Sequence, residues 1–165
     1  MKIGKINIQI TPTRKDVLIV IIWAVAIALI MVKAHILMYQ NDPLYYKTGK
    51  AWVEYKAPSL EIIDMLILAA MSIIVTITLS DVKPIIYGFA ASLILSFIIA
   101  LGYVSLFIWY ALGYGELFSS VPYGWEDAVY LGFLNVFFIM VPWVIGISAI
   151  GLVVGVIVRG WIKST

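Results

Sequence analysis

Four apolar runs, at residues 17–38, 60–79, 84–112 and 128–158, divide the chain. A bilayer core about 30 Å thick is crossed by about 20 helical residues, and every run reaches that length. Hydrocarbon offers no partner to a backbone amide, so segments of this length satisfy their own hydrogen bonds as helices. Composition agrees: 64% of residues are hydrophobic and 12% charged, with a mean hydropathy of +1.07, against about 25% charged in a soluble domain. The expected fold is a single membrane domain over residues 1–165, an all-α bundle of four transmembrane helices.

The connections are uneven. Residues 1–16 form a basic tail with Lys2, Lys5, Arg14 and Lys15, in which Ile6, Ile8 and Ile10 alternate with Asn7, Gln9 and Thr11. That is the period of a strand with one apolar face. A lone strand is marginal in water, so two readings stay open: a strand that adds to a partner's sheet, or an extended tail on the membrane surface. Thr13 followed by Asp16 has the pattern of a capping box and predicts a helix start near Arg14. The first run is longer than the core of a secretory signal and lacks a cleavage pattern, so it reads as a retained span. Residues 39–59 mix charges with Tyr45, Tyr46, Trp52 and Tyr55, and exceed a simple connection. Residues 80–83 make a short turn into Pro84, which suits a first helical turn. Residues 113–127 form a Gly/Pro loop ending in Glu126 and Asp127, where a helix dipole favours acids.

Small residues mark helix contacts. Gly88, Ser92, Ser96 and Ala100 recur every fourth residue of the third run, and Gly151 and Gly155 form a GxxxG in the fourth. Such stripes let helices approach closely in lipid, chiefly within the bundle and less often at a dimer face. Asn135 predicts an interhelical hydrogen bond, and Pro142 predicts a kink, because proline removes a backbone donor.

Charge sets the expected orientation. With both termini cytoplasmic, Lys2, Lys5, Arg14, Lys15, Lys83, Arg159 and Lys163 lie inside and Lys47, Lys50 and Lys56 outside, as the positive-inside rule favours. Most acids, and most tyrosines and tryptophans, then fall outside, which predicts an aromatic-rich outer cap. The basic residues are spread over termini and one turn, so no nucleic-acid partner is expected.

The candidate polar cluster is Lys33, His35, Glu61 and Asp64, at the facing ends of the first two runs. Lys33 and Asp64 come at matching depth about 4–5 Å inside the hydrocarbon edge, and Glu61 and Asp64 share one helix side. The expected pairs are Lys33 with Asp64 and His35 with Glu61. Three uses compete: solvated charges that snorkel to the surface, a structural ion pair, and a site for a proton, cation or polar ligand. One histidine and no cysteine exclude thiolate and multi-histidine metal centres within one copy, and no phosphate loop or nucleophile motif is present. No cofactor, metal or catalytic residue is therefore assigned.

The function expected on these grounds is a non-catalytic integral subunit of a larger membrane complex, such as a respiratory or other oxidoreductase assembly, with other membrane subunits and lipid as its partners. The alternative is a small homo-oligomeric transporter or channel with Lys33, Glu61 and Asp64 at an outer site. An enzyme would have to work with Glu61, Asp64 and His35.

Overall fold

The computed structural model describes residues 13–46, 51, 54–112 and 125–164. The alternating segment 6–10, Trp52 and Val53, and the loop 113–124 lie outside them. The described residues are all-helical, without a strand. Helix α1 spans Arg14–Asn41, α2 Ile62–Thr78 and α3 Val82–Leu112. Helix α4, Trp125–Ile139, continues through a π-helical turn, Met140–Ile145, into α5, Gly146–Ser164.

Three of these rods are long and apolar enough to cross a membrane: α1, α3 and the α4–α5 rod, which runs 38 residues from Trp125 to Ile162. Helix α2 is shorter, 17 residues, or about 25 Å. It loses length at its start because Ala57, Pro58, Ser59, Leu60 and Glu61 are not helical. Its last turn closes with the Leu79 amide on the Val75 carbonyl.

Helix α1 starts where the capping pattern places it. Thr13 Oγ1 accepts from the Asp16 amide at 3.2 Å, and Asp16 Oδ2 accepts from the Thr13 amide at 3.2 Å. The same carboxylate also takes the Ser80 hydroxyl at 2.8 Å and the Ser80 amide at 3.2 Å. One buried acid thus caps α1 and ties it to the α2–α3 turn.

The bundle is built from three long contacts. Helix α1 lies parallel to α3, with Val20 against Gly88, Trp23 stacked on Phe89 and His35 edge-on to Phe107. Helix α3 runs antiparallel to α4, with Ser105 against Gly132 and Phe97 against Phe133. Helix α5 lies parallel to α2, with Gly151 against Ala69 and Ser72, and Gly155 against Ile73 and Thr76. Helices α1 and α2 touch far less. The Asp16, Ser80 and Arg159 end is called the turn end here, and the Lys33 and Asp64 end the loop end.

Both small-residue sets are buried inside the chain. Gly88, Ser92, Ser96 and Ala100 are all buried, and a Cβ on Gly88 would sit 2.8 Å from Val20 Cγ2. The GxxxG receives α2 of the same chain. Close packing needs small residues, and dispersion contacts supply the association energy where water exclusion is absent.

The π-helical turn keeps one face of the last rod buried along its length. Leu131, Asn135 and Ile139 are buried in α4, and uninterrupted 3.6-residue spacing would next bury Pro142 or Trp143 and then Gly146. Instead Pro142 and Trp143 are exposed, and Val144, Ser148, Gly151 and Gly155 are buried. A π turn absorbs one extra residue, so Val144, Ser148, Gly151 and Gly155 stay in line with Leu131, Asn135 and Ile139 on one side of the rod. The irregularity expected at Pro142 is thus a change of register, placed where proline lacks the donor for an ordinary α bond.

Candidate functional site

Two polar assemblies lie at the loop end, on opposite sides of α1. Lys33 and His35 are two positions apart, which places them about 200° apart around the helix axis. Lys33 faces α2 and His35 faces the bundle interior.

On the α2 side, Lys33 Nζ donates to Glu61 Oε2 at 2.8 Å and to Asp64 Oδ1 and Oδ2 at 2.9 and 3.1 Å. The Asp64 side chain is almost fully enclosed, at 4% exposure, whereas Lys33 and Glu61 keep 44% and 54%. Asp64 also lies in the first turn of α2, where the helix dipole favours a carboxylate. Glu61 sits at the N-cap position without bonding its own helix, and Lys33 holds it instead. This three-group clasp is the main polar fastening of α1 to α2 at the loop end.

On the interior side, His35 Nε2 lies 2.8 Å from Tyr46 Oη, so its partner is not the Glu61 expected from the sequence. Asn135 Nδ2 donates to the Leu131 carbonyl at 2.7 Å and to Tyr46 Oη at 3.4 Å. The bond expected from Asn135 to another helix therefore goes to the α1–α2 connection instead. The Leu131 carbonyl only accepts, so the nearer Asn135 atom must be its amide nitrogen. Tyr46 Oη then accepts from Asn135 and shares one hydrogen bond with His35 Nε2, whose direction follows the imidazole tautomer. Among the described residues, neither His35 Nδ1 nor Asn135 Oδ1 finds a hydrogen-bond partner, although both residues are fully buried. Burial pushes the Tyr46 and Tyr55 phenols up, so both stay neutral. Aromatic rings close the surroundings: Tyr46 packs against Tyr39 and Tyr45, and Tyr39 sits edge-on to Phe107. Tyr45 Oη accepts from the Lys56 amide at 2.7 Å and donates to the Glu54 carbonyl at 3.3 Å. The connection is thereby folded down onto α1.

At the turn end Arg159 of α5 reaches the end of α2, donating to the Ser80 carbonyl at 2.6 Å and the Thr76 carbonyl at 3.5 Å. It satisfies helix-terminal carbonyls and complements the dipole there. With Asp16 on Ser80, the α2–α3 turn is gripped from both sides.

Among the described residues no group of three or more His, Asp or Glu side chains is placed to hold a metal ion. Chemically, the clasp is a fastener in which one lysine bridges two acidic side chains, and the Tyr46 network anchors a loop. Sequence reasoning missed Tyr46, Ser80 and Arg159. For Arg159 a signal existed, a cation in the last turns of a helix with a short turn nearby. For Tyr46, one tyrosine among ten, none did.

No protein-family description, curated protein or solved structure matches the chain.

Proposed function

We propose that this chain is a non-catalytic integral subunit of a larger membrane protein complex, multi-pass in the cell membrane, with four crossings and both termini cytoplasmic. The observation that carries the reading is how its ionisable side chains are used. Lys33, Glu61 and Asp64 fasten α1 to α2, Asp16 fastens α1 to the α2–α3 turn, and Arg159 fastens α5 to α2. Charged groups inside a membrane are costly and are retained where they pair or do chemistry; here the observed partners are the chain's own helix ends. Tyr130, Phe133, Phe137 and Phe138 are exposed along α4, and large aromatics of this kind are enriched where proteins meet. The alternating helix directions support four crossings, with the short α2 accommodated by local thinning and by flanking polar residues.

Mild-detergent purification through a C-terminal tag tests the reading. Larger membrane proteins in fixed ratio are expected, and recovery of this chain alone refutes it. The cysteine-free sequence makes topology directly testable. A cysteine at Leu44 should react with an impermeant maleimide from outside, and one at Lys83 only after permeabilisation. The partial exposure of Lys33 and Glu61 favours a second reading, a homo-oligomeric transporter with an outer site. Purification as a homo-oligomer would turn the assignment towards it.

A further inference from the structure

We infer that the crevice between α1 and α2 binds an acyl chain of one anionic phospholipid, whose phosphate is held at Lys15 and Arg14; the inference rests on the membrane reading above. The crevice has a volume of about 250 Å³ and is lined by Ile19, Ile22 and Trp23 of α1 and by Met71, Ile74 and Val75 of α2. Thr78 completes it, with its hydroxyl already donated to the Ile74 carbonyl at 2.7 Å. Apolar cavities of about 150 Å³ stay dry and accept apolar guests, so this larger lining suits hydrocarbon and not water.

The two helices are held apart by construction. Helix α1 packs on α3 and α2 on α5, and direct polar contact between α1 and the α2 region comes at the two ends, Lys33 with Asp64 and Asp16 with Ser80. Trp23, stacked on Phe89 at 5.8 Å, cannot swing across to close the gap. The crevice opens outwards between Ile22 and Ile74, which are 59% and 61% exposed. A lipid can therefore enter sideways.

Charge identifies the headgroup. Lys15 lies four and seven residues before Ile19 and Ile22, on the same helical face as the crevice. Lys15 and Arg14 are exposed, and among the described residues neither has an ion-pair partner. The neighbouring acids are engaged elsewhere: Asp16 is buried on Thr13 and Ser80, and Asp81 accepts from the Val82 amide at 2.7 Å. Two cations one turn above an apolar crevice match a phosphate above an acyl chain, which a zwitterionic headgroup complements less well.

Native mass spectrometry of the full chain as it purifies, stripped of lipid and titrated with phosphatidylglycerol or phosphatidylcholine of identical acyl chains, tests this. One phosphatidylglycerol per chain should survive activation that removes phosphatidylcholine. Lys15→Gln should weaken retention about fivefold, the worth of one cation near an anionic lipid. Lys83→Gln, at the same end but on α3, should leave retention unchanged. Thr78→Phe fills the crevice and should remove the adduct; if that variant does not fold, Ile74→Phe serves. Acyl-brominated phosphatidylglycerol should quench a component of tryptophan fluorescence that Trp23→Phe lacks. Equal retention of the two lipids, or equal weakening by the two lysine variants, overturns the inference. Resistance to alkaline extraction is scored on every variant, so a chain that is inserted but binds no lipid is distinguished from one that is not a membrane protein.

Discussion

Adding one methyl group at Gly151 or Gly155 tests the close α2–α5 contact. A Cβ on Gly151 would lie 2.7 Å from both the Ala69 carbonyl oxygen and Ser72 Cβ, and one on Gly155 would lie 2.7 Å from Thr76 Cβ and 3.1 Å from the Ile73 carbonyl. Both sites press on backbone or Cβ atoms, which move only if the helix moves. Overpacking of this kind costs about 1–3 kcal/mol, whereas replacing a mid-helix glycine with alanine gains about 0.8–1.0 kcal/mol of propensity. Gly151→Ala and Gly155→Ala should therefore each destabilise by up to about 2 kcal/mol, or several degrees of melting temperature at about 2–4 °C per kcal/mol. The double variant should cost less than the sum, because helices already forced apart accommodate the second methyl. Gly102 and Gly146 are the controls: a Cβ on either meets no atom within 4 Å, so alanine there should leave stability unchanged or raise it. Thermal unfolding in one detergent, followed by size-exclusion recovery or tryptophan fluorescence, reads all of these. If Gly151→Ala stabilises as much as Gly102→Ala, the close approach is refuted. If it changes oligomeric state at constant stability, the GxxxG is a dimer face.

Other expectations follow from the polar contacts. Tyr46→Phe strands His35 Nε2 and one Asn135 N–H, and at about 1–3 kcal/mol per orphaned buried group it should lower the melting temperature and expose the α1–α2 connection to protease. Asp16→Ala removes an N-cap partner and the Ser80 tie, so it should cost at least the about 0.5–2 kcal/mol of a cap, with faster amide exchange in the α2–α3 turn. Lys33→Met should lower the melting temperature because enclosed Asp64 loses its counter-charge, whereas Glu61→Gln, at the exposed rim, should change little in the same melt. Deleting Val141 from the π turn should be tolerated because the rod reverts to α geometry without turning α5, whereas deleting Val153 rotates Gly155 and Arg159 off α2 and should abolish monodisperse folding on size exclusion.

The helices were legible in the sequence because hydrocarbon demands length, and length survives any rearrangement of faces. The start of α1 was legible because Thr13 and Asp16 form a local motif whose bonds span three residues. Which face each helix buries was not, since a helix between lipid and protein is apolar all round: buried Ile27 and exposed Ile22 are the same residue type. The small stripes marked contacts but did not name their partners. Lys33 and Asp64 could be set side by side from depth alone, because a two-run hairpin brings their ends together. His35 was assigned to the wrong side of α1, an error that the 200° step from Lys33 was sufficient to expose. Tyr46 and Ser80 depend on where loops settle, which no periodicity encodes.

The π turn, the clasps and the crevice are consequences of one another. By absorbing one residue at Pro142, the last rod keeps one face buried along its length, on α3 through α4 and on α2 through α5, so α2 is supported from α5 and α1 from α3. Neither support draws α1 towards α2, and in lipid no hydrophobic force closes an apolar gap, since hydrocarbon fills it as well as a side chain does. What fixes the distance is polar chemistry at the two ends, where Lys33 holds Asp64 and Asp16 holds Ser80. The same clasps that give the bundle its shape thus keep the crevice open, and loosening either one should change its width before it changes the contact of α1 with α3.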